Sequence, residues 1–564
     1  MAELLRRLSG QIRPGGRALV AGRHDDALPA VLAAAGLEVT CLVRGLRDAE
    51  RMAQSGLRVL CGHLGKLDPA ETFDLVVAAA GLDRLVSAEG PQLSWAETAA
   101  LLTAAVAPAG TLLLVQENLL GLSRLTAMTP WYADRTDADW TPAGAFDDSR
   151  PGSLDGLTAA LAGAGLDVAE PLLAYPDPAR PSVLAPATAA GDPAVRPALQ
   201  FAVEAATARY AEGRRLLADP RPLAADAIRS GAAAAFAPAW VVVATRTAAG
   251  GPADSALITG VGAATHRRPA PSVHDQRGGG ERFVIADERP APWALTLEVV
   301  RDGTGWHRRV LGDRQSRGNG GLTRRPDLLD GRLPTGRSLR EQLLALCLRR
   351  DIPALRAVLT RYADAVRADA DGTVTGAHLF HQPDDLVIDG GPDAGGDLRQ
   401  WDPSWSAELR VPADVVIARG LRAFAADLVH GGHAHPWPRL GGVDDLARLL
   451  GALAGRTWDG TDVLERAAEL HERLVAAGRD VAVPVSGQTG YREVVAAVER
   501  LSAEVAHEKA VNAWNVRMLQ KREGALRRAE AKLALLSGTL PARVGKLSSL
   551  LVRRARQVAK RVRK

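Results

Sequence analysis

No lysine occurs between Lys66 and Lys509, so over that span no ammonium is available to hold the α- and β-phosphates of a nucleotide. Cysteine is nearly as sparse. Cys41, Cys61 and Cys347 are odd in number, far apart and form no CxxC. That excludes a zinc ribbon or a disulfide framework and suits small apolar fillers in a reducing compartment. The longest apolar run, residues 231–244, is interrupted by Pro238 and too short to span a bilayer. The first residues lack the apolar stretch of a secretory signal. A cytoplasmic location is therefore expected.

What is present is the composition of a globular protein, 47% hydrophobic and 24% charged, in a chain of 564 residues. Single cores stop growing at roughly 250–300 residues, so two or more domains are expected. The net charge of +5 is uneven. Nine Lys or Arg and no acid fall between Arg543 and Lys564, which leaves the rest of the chain at −4. A basic tail on a mildly acidic body argues against a nucleic-acid-binding body.

Up to residue 125 the pattern alternates strand and helix. Apolar strands are expected at 18–22, 38–43, 57–62 and from 73, with a fifth ending at "LLLVQEN" (112–118) and helices between them. Such spacing predicts a parallel, doubly wound sheet. "RPSVLA" and "AWVVVATR" (239–246) read as closing strands. The expected fold class is α/β: a Rossmann-like domain over 1–247, a Gly/Pro-rich linker over 248–280 and a second, α+β domain over 281–450. A helical connector (451–489), a coiled coil (490–537) and a basic amphipathic helix (541–564) follow.

Val498, Val505, Asn512, Leu519, Leu526 and Leu533 fall seven residues apart. This is the seam of a short coiled coil in which Asn512 fixes register, and it implies homo-oligomerisation. A single helix packed on its own protein is the other reading. Past Pro541, Val544, Leu547, Leu551, Val558 and Val562 lie among the nine cations, a pattern suited to an anionic membrane surface. An RNA-binding tail or a merely solvated one are the rivals.

The order of elements over 15–125, with "FDLVVAAAGLDRL" followed by a helix and "VAPAGTLLLVQEN", resembles the class I S-adenosylmethionine-dependent methyltransferases. "QENLLGL" (116–122) and "AYPDPARPSVL" (174–184) are similar to segments of methyltransferases from bacterial surface-polysaccharide clusters. Some of these are fused to a kinase-like domain and a coiled coil, as in the O-antigen chain-terminating enzymes. The resemblance implies S-adenosylmethionine as cofactor and methylation of a sugar hydroxyl.

It also implies a site. The family carries an acid before a GxGxG loop; here the positions read Ala21, Gly22, Arg23, His24, Asp25. The ribose-binding acid at the end of strand two is replaced by Val43, Arg44, Gly45, and the acid after strand three by Gly62 and His63. The expected cofactor contacts are accordingly Ala21, Gly22, Asp25, Asp26, Gly62 and His63, with Asp25 or Asp26 toward the methionine ammonium. Glu117 and Asn118, at the end of strand five, and His24 are the catalytic candidates, since a hydroxyl acceptor benefits from an aligned base. A strand-end cap is the alternative for the first two and solvent exposure for the third.

"LVIDGGPDAGGDLRQWDPSW" resembles the end of a kinase-like lobe, with Asp402 at the metal-binding position and Asp384 or Asp385 near the second. The phosphate-holding lysine is missing; Arg308 or Arg309 stands near its place, and an arginine fork is not its geometric equivalent. A degenerate, pseudokinase-like domain is expected. Trp401 and Trp405 flank Asp402 as packing or as a sugar platform. His430, His433 and His435 lack an acid or cysteine at ligand spacing, so no metal site is expected. Two functional readings remain open: a methyltransferase acting on a sugar or polysaccharide, and a non-catalytic membrane-surface scaffold.

Overall fold

The computed structural model describes all residues except 23, 25–26, 83–84, 86–90, 92, 128–146, 212–215, 217–218, 248–281, 288, 335, 390–395, 432, 438–441, 459–461, 481–490, 537–539 and 562–564. The chain divides into two units, Met1–Val485 and Ser486–Lys564.

In the first unit, five apolar runs form parallel strands: β1 (Arg17–Ala21), β2 (Glu38–Val43), β3 (Arg58–Cys61), β4 (Phe73–Ala78) and β5 (Val106–Glu117). They lie side by side in the order β3-β2-β1-β4-β5. Alternate side chains enter different cores. Ala18 and Val20 of β1 join Val39, Cys41, Leu75 and Val77 beneath α1 (Ala2–Ser9), α2 (Ala27–Ala34) and α3 (Leu46–Gln54). Leu19 and Ala21 point the other way, with Leu42, Val76 and Ala78, beneath α4 (Trp95–Ala104). Burial on both faces is why β1, β2, β4 and β5 read as apolar runs; β3, at the edge, is exposed at both ends. A capping box starts α4: the Ser94 hydroxyl accepts from Glu97 N–H at 3.2 Å, and the Glu97 carboxylate accepts from Ser94 N–H at 2.7 Å.

Next come α5 (Leu122–Leu125), α6 (Leu154–Gly163), β6 (Leu166–Val168), β7 (Leu172–Tyr175), β8 (Val183–Pro186), α7 (Arg196–Ala211), α8 (Pro220–Arg229), α9 (Ala233–Phe236) and β9 (Ala239–Arg246). β9 runs antiparallel to β5, and β7 antiparallel to β9. The sheet does not end there. β8 pairs with β7, and β10 (Arg282–Asp287) pairs with β8 through Val284 opposite Leu184 and Ile285 opposite Val183. β11 (Leu295–Asp302) and β12 (Gly305–Leu311) continue the meander, closed by Gly331–Arg332, for thirteen strands in all. The segments read from sequence as 1–247 and 281–450 thus share one sheet, and the linker expected between them lies outside the described residues.

A second core follows. It is built from α10 (Leu339–Arg349), α11 (Ile352–Ala365), α12 (Ala413–His430), α13 (Val443–Leu453) and α14 (Asp462–Ala476), around Leu343, Leu359, Phe424 and Leu446 and with Trp293 and Trp405 inside. The second unit comprises α15 (Tyr491–Leu536) and α16 (Leu540–Arg561). Val505, Leu519, Leu526 and Leu533 of the heptad seam are each more than half exposed; the Val498 side chain lies outside the described residues. Among the described residues no helix is long and apolar enough to cross a membrane.

Candidate functional site

Ligands in open α/β sheets sit beyond the carboxyl ends of the strands, where the winding reverses. Here the reversal falls at β1, which has β2 on one side and β4 on the other. β1 ends in the buried Ala21. Gly22 donates its N–H to the Leu42 carbonyl at 2.9 Å and takes a φ of +95°, a conformation side chains resist. A Cβ at Gly22 would meet Leu85 Cδ2 at 3.3 Å and Ala80 Cβ at 3.7 Å. His24 folds back, its Nε2 donating to the Ala21 carbonyl at 2.8 Å. Asp25 and Asp26 lie outside the described residues.

Two more left-handed glycines share this end of the sheet. Gly62, after β3, has φ +152° and donates to the Val43 carbonyl at 2.9 Å. Gly81, after β4, has φ +77°, and a Cβ there would lie 3.3 Å from the Val115 carbonyl oxygen. His63 turns inward on its own chain: Nδ1 accepts from Gly65 N–H at 3.1 Å and caps the short turn Leu64–Lys66. Leu82 and Leu85 are buried, and the Leu85 carbonyl accepts from Leu64 N–H at 3.2 Å. The loop after β4 is thereby tied to the loop after β3, with Leu85 lying against Gly22.

These residues can be matched against S-adenosylmethionine. Where the resemblance requires carboxylates, the described residues are Ala21, Arg44 and the pair Gly62–His63, and Gly45 serves instead as the N-cap of α3. Gly22, Gly62 and Gly81 offer open backbone, and Leu82 and Leu85 an apolar wall. The fit is to the main-chain and apolar contacts of the cofactor, and no acid at those positions meets its ribose. Gly81 and Leu85 were not singled out in the sequence, although "AAAGLDRL" places a glycine just beyond the strand.

At the end of β5 the two acceptor-facing candidates separate. Glu117, about a fifth exposed, accepts from Arg124 Nε at 2.8 Å, and its carbonyl accepts from Arg150 at 3.0 Å. Asn118 is buried and its polar atoms are engaged. Its amide donates to the Ala235 and Ala237 carbonyls at 2.7 and 2.9 Å, while its Oδ1 accepts from Leu120 N–H at 3.0 Å. Asn118 thus fastens the end of β5 to the approach to β9, as the strand-end cap alternative has it.

The structure brings Asp385 and Asp402 together, but in a buried ion-pair cluster. Asp402 accepts from Arg324 at 2.9 Å, from Trp405 Nε1 at 2.9 Å, from Ser404 N–H at 3.1 Å and from the Ser404 hydroxyl. Burial alone would raise its pKa, but the Arg324 and Arg289 guanidiniums outweigh burial and hold it below the carboxylate range. Asp385 is pushed up to about 8 by burial, against the pull of Arg479 3.3 Å away and with Asp402 adding to the rise. Arginine heads occupy the surroundings where a metal-ligand role would need open carboxylates. Arg308, buried, donates to the Trp401 carbonyl, and Arg309, exposed, pairs with the buried Glu298 at 2.5 Å, so both are engaged by partners within the protein.

The sugar-platform reading of the two tryptophans is likewise corrected. Trp401 stacks on Phe201 with ring centroids 4.5 Å apart, and Trp405 is 1% exposed, so both are packing. His433 lies 3.5 Å from Asp219, and His435 Nδ1 accepts from Trp437 N–H at 3.3 Å.

No family model matches the chain, and no curated protein does. Solved structures do. An N-methyltransferase, NodS, from Bradyrhizobium japonicum is 18% identical over 30% of this chain and 83% of its own, with a TM-score of 0.22. A SAM-dependent methyltransferase from Archaeoglobus fulgidus is 13% identical over 44% and 95%, with a TM-score of 0.26. A geranyl diphosphate methyltransferase in complex with SAM is 14% identical over 44% and 84%, with a TM-score of 0.25. At these identities and scores the strand order and the residues themselves carry the functional reading.

Proposed function

We propose that the chain is an S-adenosylmethionine-dependent methyltransferase of the class I type, acting on a hydroxyl of a cell-surface sugar or polysaccharide. The observation that supports it is the left-handed Gly22 at the end of β1, at the reversal point of the sheet, where only a glycine lets a ligand approach the backbone. The cofactor supplies an electrophilic methyl group. The chain's own residues hold it through the backbone of Gly22, Gly62 and Gly81. The acceptor hydroxyl must lose its proton, and Glu117, paired to Arg124 yet partly exposed at the end of β5, is the base best placed to take it.

A second reading, a scaffold without activity, is favoured by Leu85 lying over Gly22 and by the absence of a carboxylate at the ribose position. Calorimetric titration with S-adenosylmethionine and S-adenosylhomocysteine, with Mg-ATP in parallel, separates the two. Micromolar binding of the first pair, abolished in Gly22→Trp, supports the enzyme. No heat from folded protein leaves the scaffold.

Either way, α16 is proposed to rest on an anionic membrane surface. Leu547, Leu550 and Leu551 are each more than 60% exposed on a helix that also carries Arg553, Arg554 and Arg556. The exposed seam of α15 is proposed to pair with a second copy. Truncation before Pro541 should abolish sedimentation with anionic vesicles and leave neutral vesicles unbound as before. RNA binding lost on the same truncation would instead favour a nucleic-acid tail.

A further inference from the structure

A cavity of about 600 Å³ has no lining residue from the five parallel strands β1 to β5. Its walls are α7 and the turn before it, Arg229 of α8, the start of β12, the short strands Gly331–Arg332 and Gly336–Ser338, and Glu341 of α10. Its volume is that of a small-molecule site, and it sits where the first and second halves of the sheet protein meet, a place such sites favour.

The lining is rich in guanidinium. Arg196, Arg229, Arg332 and Arg337 face two carboxylates, Glu204 and Glu341. Glu341 is already shared: it pairs with Arg229, lies 3.5 Å from Arg337 and accepts from the Gln200 amide at 2.6 Å. Glu204 accepts from the same amide at 3.1 Å and lies 3.9 Å from Arg340. Burial pushes the Glu204 carboxyl up to about 7, against the pull of Arg340, so it offers less than a full negative charge near neutrality.

Positive charge is left over. The Arg332 side chain makes no hydrogen bond or ion pair among the described residues. Arg196 donates one NH2 proton to the Gly191 carbonyl, while its Nε is buried with no partner. The rest of the Arg196 guanidinium makes no hydrogen bond or ion pair among the described residues. Guanidinium forks match the oxygens of a phosphate in two-point geometry. The remaining wall is apolar: Pro193, Pro197 and the small exposed parts of Phe201 and Trp306, each 5% exposed. The Trp306 indole is held by its N–H donating to Asp192 at 3.3 Å.

We infer that this cavity binds a phosphate ester of a small ring compound, of the sugar-phosphate class. The phosphate is taken by Arg196 and Arg332, and the ring lies against the apolar wall of Pro193, Pro197, Phe201 and Trp306. The inference stands apart from methyl transfer, because none of these residues belongs to the ends of β1 to β5.

The test is titration of the full chain with glucose 1-phosphate, inorganic phosphate and glucose. The sugar phosphate should bind more tightly than either of the others. Its affinity should fall at least about tenfold in the Arg196→Gln/Arg332→Glu pair, since charge-assisted bonds are the strong ones. The melting temperature should change little, because the Arg332 side chain makes no hydrogen bond or ion pair among the described residues and Arg196 gives up a single exposed bond to the Gly191 carbonyl. Ala194→Trp, which fills the mouth and removes no charge, should give the same loss. Absence of sugar-phosphate binding overturns the inference, as does inorganic phosphate binding equally well or undiminished binding in the double variant. Binding of S-adenosylmethionine is unaffected by these variants, so the two results are read separately.

Discussion

At Asp402 the same residue supports opposite predictions under two readings. A metal-holding aspartate tolerates Asp402→Asn with little loss of stability and loses cation binding. The observed carboxylate instead neutralises Arg324, which is 1% exposed, and lies 4.0 Å from Arg289. Removing it leaves Asp287, 2.7 Å from Arg324, as a carboxylate shared by the buried Arg324 and Arg289, so Asp402→Asn should cost about 3 kcal/mol in urea unfolding. A cost near zero would restore the metal reading. His381 supplies a second measurement. Burial, and then the neighbouring His378, push its pKa down to about 4, below the 6.5 of the free side chain. Between those values the unfolded chain binds a proton the folded one refuses. Stability should therefore be intact above pH 6.5 and fall as pH drops toward 4, by up to about 3 kcal/mol from this group. Urea midpoints at pH 7 and pH 4.5, for the wild type and for His381→Gln, test it; equal pH dependence in both proteins would remove His381 as the cause.

The turn after β5 shows what an element asks of a residue. Asn118 joins that strand's end to the chain entering β9 through two side-chain hydrogen bonds and holds its own turn through a third, from Leu120 N–H. Asn118→Ala strands buried carbonyls and an N–H, and should cost about 3 kcal/mol at roughly 1 kcal/mol per lost bond. An unchanged melting point with lost methyl transfer would instead return Asn118 to the catalytic site. The sequence revealed β1, β2, β4 and β5 because each is buried on both faces and reads as a short apolar run between helix signals. It did not reveal that β8 pairs with β10. The two strands lie about a hundred residues apart, and nothing local marks Val183 as the partner of Ile285. The site was legible in the same measure. Gly22 stood out as a glycine at a strand end, whereas the role of Leu85 depends on how the loop after β4 folds back, which no periodicity encodes. Asn118 and Asp402 looked chemical because they are polar at strategic positions, and both are consumed by partners remote in sequence.

For the whole body Met1–Val485, the question is whether its halves unfold together. The sheet is one reason they should, since residues 1–247 alone would expose the edge of β8 that β10 covers, an invitation to aggregation. Side chains tie the halves further. Arg7 of α1 reaches the fully buried Glu298 of β11 at 2.7 Å, and Phe201 stacks on Trp401. Arg340 of α10, 4% exposed, lies 3.1 Å from Asp219 before α8 and 2.6 Å from Asp427 of α12, and Arg221 of α8 shares Asp427 at 2.6 Å. Scanning calorimetry of the chain truncated after Val485 should show one transition. Arg340→Ala strips both aspartates of a buried partner and should lower that transition by about 3 kcal/mol without splitting it. Two resolved transitions in the wild type would mean that the β8–β10 pairing is a weak contact between independent domains. Splitting only in the variant would mean that the arginine cluster, rather than the sheet, carries the coupling. A single lowered transition is the outcome that makes the thirteen-stranded sheet the cooperative unit, and it would oblige any ligand in the cavity at the seam to stabilise both halves at once.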